Sequence, residues 1–178
     1  MSEPLAKILI VEDEQIVAVD IESQLNRLGY RVVGTAASGE EACQQAAELE
    51  PDLVLMDIRI EGSMDGIEAA RRIRRAREVP IVFLTAYTDV DTLERAKRIE
   101  PYGYVVKPFA QRDLEATIQV ALYKGAVDRQ LRQSHENLQT ILDAQRQGTV
   151  MLDAEGRIRL VSRAARNVGE AADAEAIG

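Results

Sequence analysis

Ile8-Leu9-Ile10-Val11-Glu12-Asp13-Glu14 decides the fold: an unbroken apolar run of strand length stops abruptly at acidic residues. A strand that is apolar on both faces belongs inside a sheet covered by helices on each side. The following Ile16, Val19, Leu25 and Leu28 recur at helix spacing until Gly29. The same alternation then repeats along the chain. Arg31-Val32-Val33-Gly34-Thr35 reads as a strand, and Ser38 caps a helix whose interior runs from Glu41 to Leu49. After Pro51, Leu53-Val54-Leu55-Met56 runs into Asp57, and a loop with Gly62 and Gly66 leads to a helix carrying Ile67, Ala70 and Ile73. Pro80 opens Ile81-Val82-Phe83-Leu84, a helix with Leu93 and Ala96 follows, and Gly103-Tyr104-Val105-Val106 ends at Lys107-Pro108. Strands and helices in this alternation predict an α/β fold with a doubly wound, five-stranded parallel sheet. Right-handed crossovers place the carboxyl ends of the strands on one edge, where ligands of such sheets bind.

Composition narrows the functional classes. The chain has 178 residues, 46% of them apolar and 29% charged, which is ordinary globular composition. A net charge of −8 argues against a duplex nucleic-acid surface in this fragment. No apolar run approaches the roughly 20 residues of a membrane span, and the N-terminus carries no signal-peptide pattern. The single cysteine, Cys43, excludes an internal disulfide. It is expected to be a small buried or half-buried residue, and Met56 and Met64 to be packing residues. A cytoplasmic protein without membrane contact is expected.

Chemistry-bearing residues fall at the strand ends. Glu12 and Asp13 follow the first strand, Asp57 the third, Thr85 the fourth and Lys107 the fifth. The flavodoxin-like strand order 2-1-3-4-5 would bring these ends side by side. Three converging carboxylates repel one another unless a cation binds, and magnesium suits oxygen-only ligands. A carboxylate nucleophile can form an acyl phosphate, with a metal and an ammonium stabilising the phosphoryl oxygens.

These residues resemble the response-regulator receiver domain. The similarity rests on Ile8 to Glu14, Leu55-Met56-Asp57-Ile58, Met64-Asp65-Gly66-Ile67-Glu68, Leu84-Thr85-Ala86 and Val106-Lys107-Pro108-Phe109, in order across about residues 5 to 124. The resemblance implies that Asp57 is the phosphoacceptor, supplied by a sensor histidine kinase or phosphotransfer protein. It implies Mg2+ held by Asp13 and Asp57, by Glu12 largely through water, and by the backbone carbonyl of Arg59. Lys107 would pair with the phosphoryl group, with cis Pro108 after it. Thr85 would donate a hydrogen bond to the phosphoryl oxygen, and Tyr104 would move inward with it as the second switch residue. The loop Arg59 to Gly66 is longer than the usual proline-glycine version, and Arg59 and Tyr87 sit where the family tunes hydrolysis.

Other classes fit less well. Phosphatases of the haloacid dehalogenase type place a second aspartate where this chain has Arg59, and flavodoxin-type cofactor binders need a serine- and threonine-rich phosphate loop after the first strand. A phosphorylation-independent dimerisation or interaction module keeps the fold but leaves Asp57 and Lys107 without a purpose.

The sequence divides into a receiver at 1-124, a helical, possibly coiled-coil linker at 125-147, and the N-terminal, incomplete portion of a PAS domain at 148-178. An extended C-terminal helix from about Gln111 uses Leu114, Ile118 and Leu122 for the sheet. Beyond them Val127, Leu131, Leu138 and Ile141 form a stripe, interrupted by Ser134, that a homodimeric coiled coil would cover, the alternative being a single helix folded back on the receiver. Gly148 ends that helix, and Thr149 to Asp153 with Arg157 to Val161 reads as a hairpin. Leu138 to Asp143 with Leu152 to Ile158 resembles the opening of a PAS sensor. His135 lacks the arginine and proline of a histidine-kinase phosphorylation box and reads as a linker residue.

Overall fold

The computed structural model of the chain describes residues 5–86, 90–144 and 150–161. Strands β1 (Lys7–Val11), β2 (Arg31–Ala36), β3 (Leu53–Asp57), β4 (Ile81–Ala86) and β5 (Gly103–Lys107) alternate with helices α1 (Gln15–Arg27), α2 (Gly39–Leu49), α3 (Gly66–Ala76), α4 (Val90–Lys97) and α5 (Gln111–Ala144). The first five strands pair in parallel in the order β2-β1-β3-β4-β5. This is the flavodoxin-like arrangement that the alternation of apolar runs demanded.

Period-two alternation along the central strands sorts the core into two halves. Leu9, Val11, Val54 and Met56 face α2 and α3, packing with Ala42, Ala46, Ile67, Ala70 and Ile73. Ile8, Ile10, Leu53 and Leu55 face the other way, onto Ile21 and Leu25 of α1 and Leu114 and Ile118 of α5. Met64 is buried and Cys43 is half-buried against the first of these halves. Of the apolar residues at helix spacing in α1, Ile16 is 86% exposed and Val19 58% exposed, whereas Leu25 is buried. Ala18, Ile21 and Gln24 join Leu25 on the buried face. Two apolar stripes satisfy helix spacing there, and only contact with the sheet selects between them.

Helix starts follow local chemistry. The Ser38 hydroxyl accepts from the Glu41 N–H at the start of α2, and the Asp65 carboxylate accepts from the Glu68 N–H at the start of α3. Each removes one of the orphan donors of a first turn. Gly125, inside α5, packs on Pro80 so closely that a Cβ would lie 2.4 Å from the proline Cγ.

The chain divides into two compact units, Met1–Ala126 and Val127–Gly178. The sheet and its helices belong to the first. In the second, Val127, Leu131, Leu138 and Ile141 of α5 are exposed, as is His135. Strands β6 (Val150–Leu152) and β7 (Ile158–Val161) form the expected antiparallel hairpin. Its turn is closed by Asp153, whose carboxylate accepts from the N–H groups of Glu155 at 3.1 Å and Arg157 at 2.8 Å. Gly156 supplies the positive φ of 79° that this turn needs. The residues from 162 onward, on which most of the incomplete PAS assignment falls, lie outside the described ones.

Candidate functional site

The carboxyl ends of β1, β3, β4 and β5 deliver Glu12, Asp13, Asp57, Thr85 and Lys107 to one edge of the sheet. The parallel register makes this unavoidable, since each of these residues ends its strand or directly follows it. Glu12 is only 2% exposed and Asp57 only 7%. One oxygen from each of Glu12, Asp13 and Asp57 lies within 4.8 Å of the others. Carboxylates alone make an oxygen-only donor set, which fits a hard divalent cation such as magnesium.

Lys107 holds this cluster together. Its ammonium donates to the carboxylates of both Asp57 and Glu12. Burial draws its pKa down, but the hydrogen bonds and charges of Asp57 and Glu12 together outweigh burial and raise it. Glu12 moves the opposite way from an ionised ideal. Burial lifts its carboxyl above the ordinary value, the Asp57 charge adds to this, and the Lys107 hydrogen bond opposes it. The ammonium therefore stays charged, and Glu12 carries the electrostatic cost of the cluster.

The loop after β3 closes over the acidic residues. The Arg59 N–H donates to Asp57 at 2.8 Å and the Glu61 N–H to Asp13 at 3.1 Å. A cleft of about 150 Å³ opens at this edge, lined by Glu14, Asp57, Ile58, Arg59, Thr85, Ala86 and Lys107. Thr85 is buried, and its hydroxyl donates to the Ala86 carbonyl at 3.2 Å. The Lys107–Pro108 peptide is cis. Tyr104 stacks on Phe83 with ring centroids 6.0 Å apart, and its buried hydroxyl has no hydrogen-bond partner among the described residues. Tyr87 lies outside the described residues.

The edge thus gathers a buried, lysine-held aspartate and two more carboxylates. A family model described as the response regulator receiver domain matches residues 8–119. The chain belongs to the response regulator receiver family. Receivers take phosphoryl groups from histidine kinases and bind magnesium at an acidic site, so residues 8–119 are a signalling module of the two-component phosphorelay type.

The receiver is 41% identical over 116 residues to the transcriptional regulatory protein PdtaR of Mycobacterium tuberculosis, covering 65% of this chain and 56% of that protein. It is similar to the N-terminal domain of a response regulator/sensory box/GGDEF 3-domain protein from Carboxydothermus hydrogenoformans, with TM-score 0.64, 38% identity, and coverage of 68% of this chain and 98% of the other. It is also similar to the receiver domain of the sensor histidine kinase PA1611 from Pseudomonas aeruginosa PAO1, which has magnesium coordinated in its active site cleft. There the TM-score is 0.60, the identity 35%, and the coverage 66% of this chain and 97% of the other. The chain spans about half the length of the curated relatives it matches. No helix among the described residues is long and apolar enough to cross a membrane.

Two features escaped the sequence reading. Lys107 was expected beside a phosphoryl group, and its bond to Glu12 was not foreseen. Gly66, in the loop and in one of the stretches of the receiver resemblance, has a contact that neither reading specifies: a Cβ there would lie 1.9 Å from the Asp57 carbonyl oxygen. The pairing of aspartate and glycine just before a helical pattern was the available signal for such a close approach.

Proposed function

We propose that Asp57 is the phosphoacceptor, supplied by a sensor histidine kinase or phosphotransfer protein, and that the receiver heads a receiver–PAS protein. The observation that carries this reading is the Lys107 ammonium joined to both Asp57 and Glu12 at the sheet edge. An Asp57 oxygen attacks the phosphorus of the donor. The new P–O bond forms as the donor's P–N bond breaks, and that electron pair leaves on the histidine nitrogen. Lys107 then turns from the Asp57 carboxylate to a phosphoryl oxygen.

Glu12, Asp13, Asp57 and the Arg59 carbonyl would hold Mg2+. Bound there, the ion would neutralise charge on the phosphoryl oxygens. Thr85 gives up its long bond to the Ala86 carbonyl and donates to the phosphoryl group, and Tyr104 follows. The Tyr104 hydroxyl, without a partner among the described residues, supports this role, since a buried hydroxyl left unpaired costs about 1–3 kcal/mol and favours a rearrangement that satisfies it.

The linker at 125-147 and the PAS portion at 148-178 form the output side. The exposed stripe of α5 supports a homodimeric coiled coil, and the hairpin β6–β7 supports the start of a PAS sheet. A sensory box follows the receiver in the Carboxydothermus hydrogenoformans relative. A cytoplasmic location suits this assignment.

Acetyl phosphate with Mg2+ tests the site by mass spectrometry. The wild type should gain one phosphoryl group, and Asp57→Ala should gain none. An unmodified wild type would sink the phosphoacceptor role and leave a phosphorylation-independent interaction module.

A further inference from the structure

We propose that Arg95 of α4 is a positioning residue for phosphoryl transfer, acting on Asp57 through Asp65 and Gly66. The inference rests on Asp57 being the phosphoacceptor. Three contacts make the chain of influence. Gly66, the first residue of α3, lies directly on the Asp57 backbone: its N–H donates to the Ile58 carbonyl at 3.1 Å. The 1.9 Å that a Cβ would leave to the Asp57 carbonyl oxygen shows how closely the start of α3 rests on the end of β3. Asp65, one residue earlier, serves two partners at once. One of its oxygens accepts from the Glu68 N–H at 2.8 Å, and the other accepts from the Arg95 guanidinium at 2.6 Å.

The turn that follows α4 is tied to the last turn of α3 as well. The Arg74 guanidinium donates to the carbonyls of Ile99 and Glu100, the latter at 3.1 Å. Both ends of α3 are therefore fastened to the last turn of α4 and the residues that follow it, and one fastening point adjoins the phosphoacceptor backbone. This route from Asp57 to α4 bypasses Thr85 and Tyr104.

The Asp65–Arg95 pair is made while Asp57 is an unmodified carboxylate bonded to Lys107. It favours that arrangement of loop and helix, so the phosphorylated arrangement forms against it. Coupling of this kind is reciprocal in free energy, and a receiver whose α4 is held less tightly meets a lower barrier to the phosphorylated arrangement. The two side chains are 56% and 36% exposed. Such a pair adds little to stability, so its positioning effect is separable from folding.

Initial phosphorylation rates of the full chain with acetyl phosphate and Mg2+ test this in wild type, Arg95→Gln, Asp65→Asn, the double variant and Arg95→Lys. Asparagine keeps the α3 cap while removing the ion pair. Each of the two neutral variants should speed phosphorylation by roughly two- to fivefold, the range a surface ion pair supplies. The double variant should be no faster than either single one, and Arg95→Lys should match wild type. Melting temperatures should stay within a few degrees. Wild-type rates in both single variants, or additive changes in the double variant, would overturn the proposal. Failure of wild type itself to accept a phosphoryl group would remove the Asp57 reading, and this one with it.

Discussion

Glu12 is the residue on which the electrostatics of the site turn. Its carboxyl pKa is raised above the ordinary 4.5, first by burial and then by Asp57, against the pull of Lys107. A folded-state pKa above the unfolded one means that the folded protein binds the proton more tightly. Stability from this group is fully present below about pH 4.5 and is lost as pH rises through the folded value. Metal-free Glu12→Gln should therefore be more stable than wild type at neutral pH, with the gap closing as pH falls towards 4.5. Thermal melts in chelator across that range check the sign. Added Mg2+ should reverse the order, because a cation relieves the repulsion only where the carboxylate remains. Nothing in residues 8 to 14 revealed how deeply Glu12 is buried. That depth comes from the neighbouring strands and from Lys107, 95 positions away in sequence.

Helices α3 and α5 each carry a glycine whose value lies in contact and not in backbone freedom. At Gly66 an added Cβ meets main chain, which cannot turn aside as a side chain can. Gly66→Ala should cost at least 1–3 kcal/mol by overpacking, seen as a lower denaturation midpoint, and should weaken Mg2+ binding because Asp57 is displaced. At Gly125 two effects oppose each other. Alanine is better than glycine inside a helix by about 1 kcal/mol, but its Cβ would lie 2.4 Å from Pro80 Cγ. Overpacking is worth more than the propensity gain, so Gly125→Ala should lower the denaturation midpoint despite the better helix former. Sequence periodicity located both helices correctly. It could not show which glycines touch another element, because those contacts join residues 9 and 45 positions apart through the fold.

For the whole molecule, the stripe of Val127, Leu131, Leu138 and Ile141 is apolar and exposed. A single helix gains nothing from such a stripe in water, whereas a second copy would cover it. Light scattering should find the full chain dimeric and a fragment of residues 1–126 monomeric. That fragment contains a complete compact unit, so it should still unfold cooperatively. Leu131→Asp with Leu138→Asp should give a monomer that retains the melting behaviour of the receiver. A dimeric double variant would place the interface elsewhere.

The order of strands and helices, the parallel sheet and the five site residues at its edge were all legible from the sequence. They depend on apolar runs, helix spacing and strand ends, which are local properties of the chain. That Ile21, and not Ile16 or Val19, shares the buried face of α1 with Leu25 was not legible. Nor were the Lys107 bridge to Glu12, the contact of Gly66 with Asp57, and the Asp65–Arg95 pair. Each of these joins residues that share no local pattern. Only the packing of separate elements against one sheet brings them within reach, and packing distances are set by the tertiary structure.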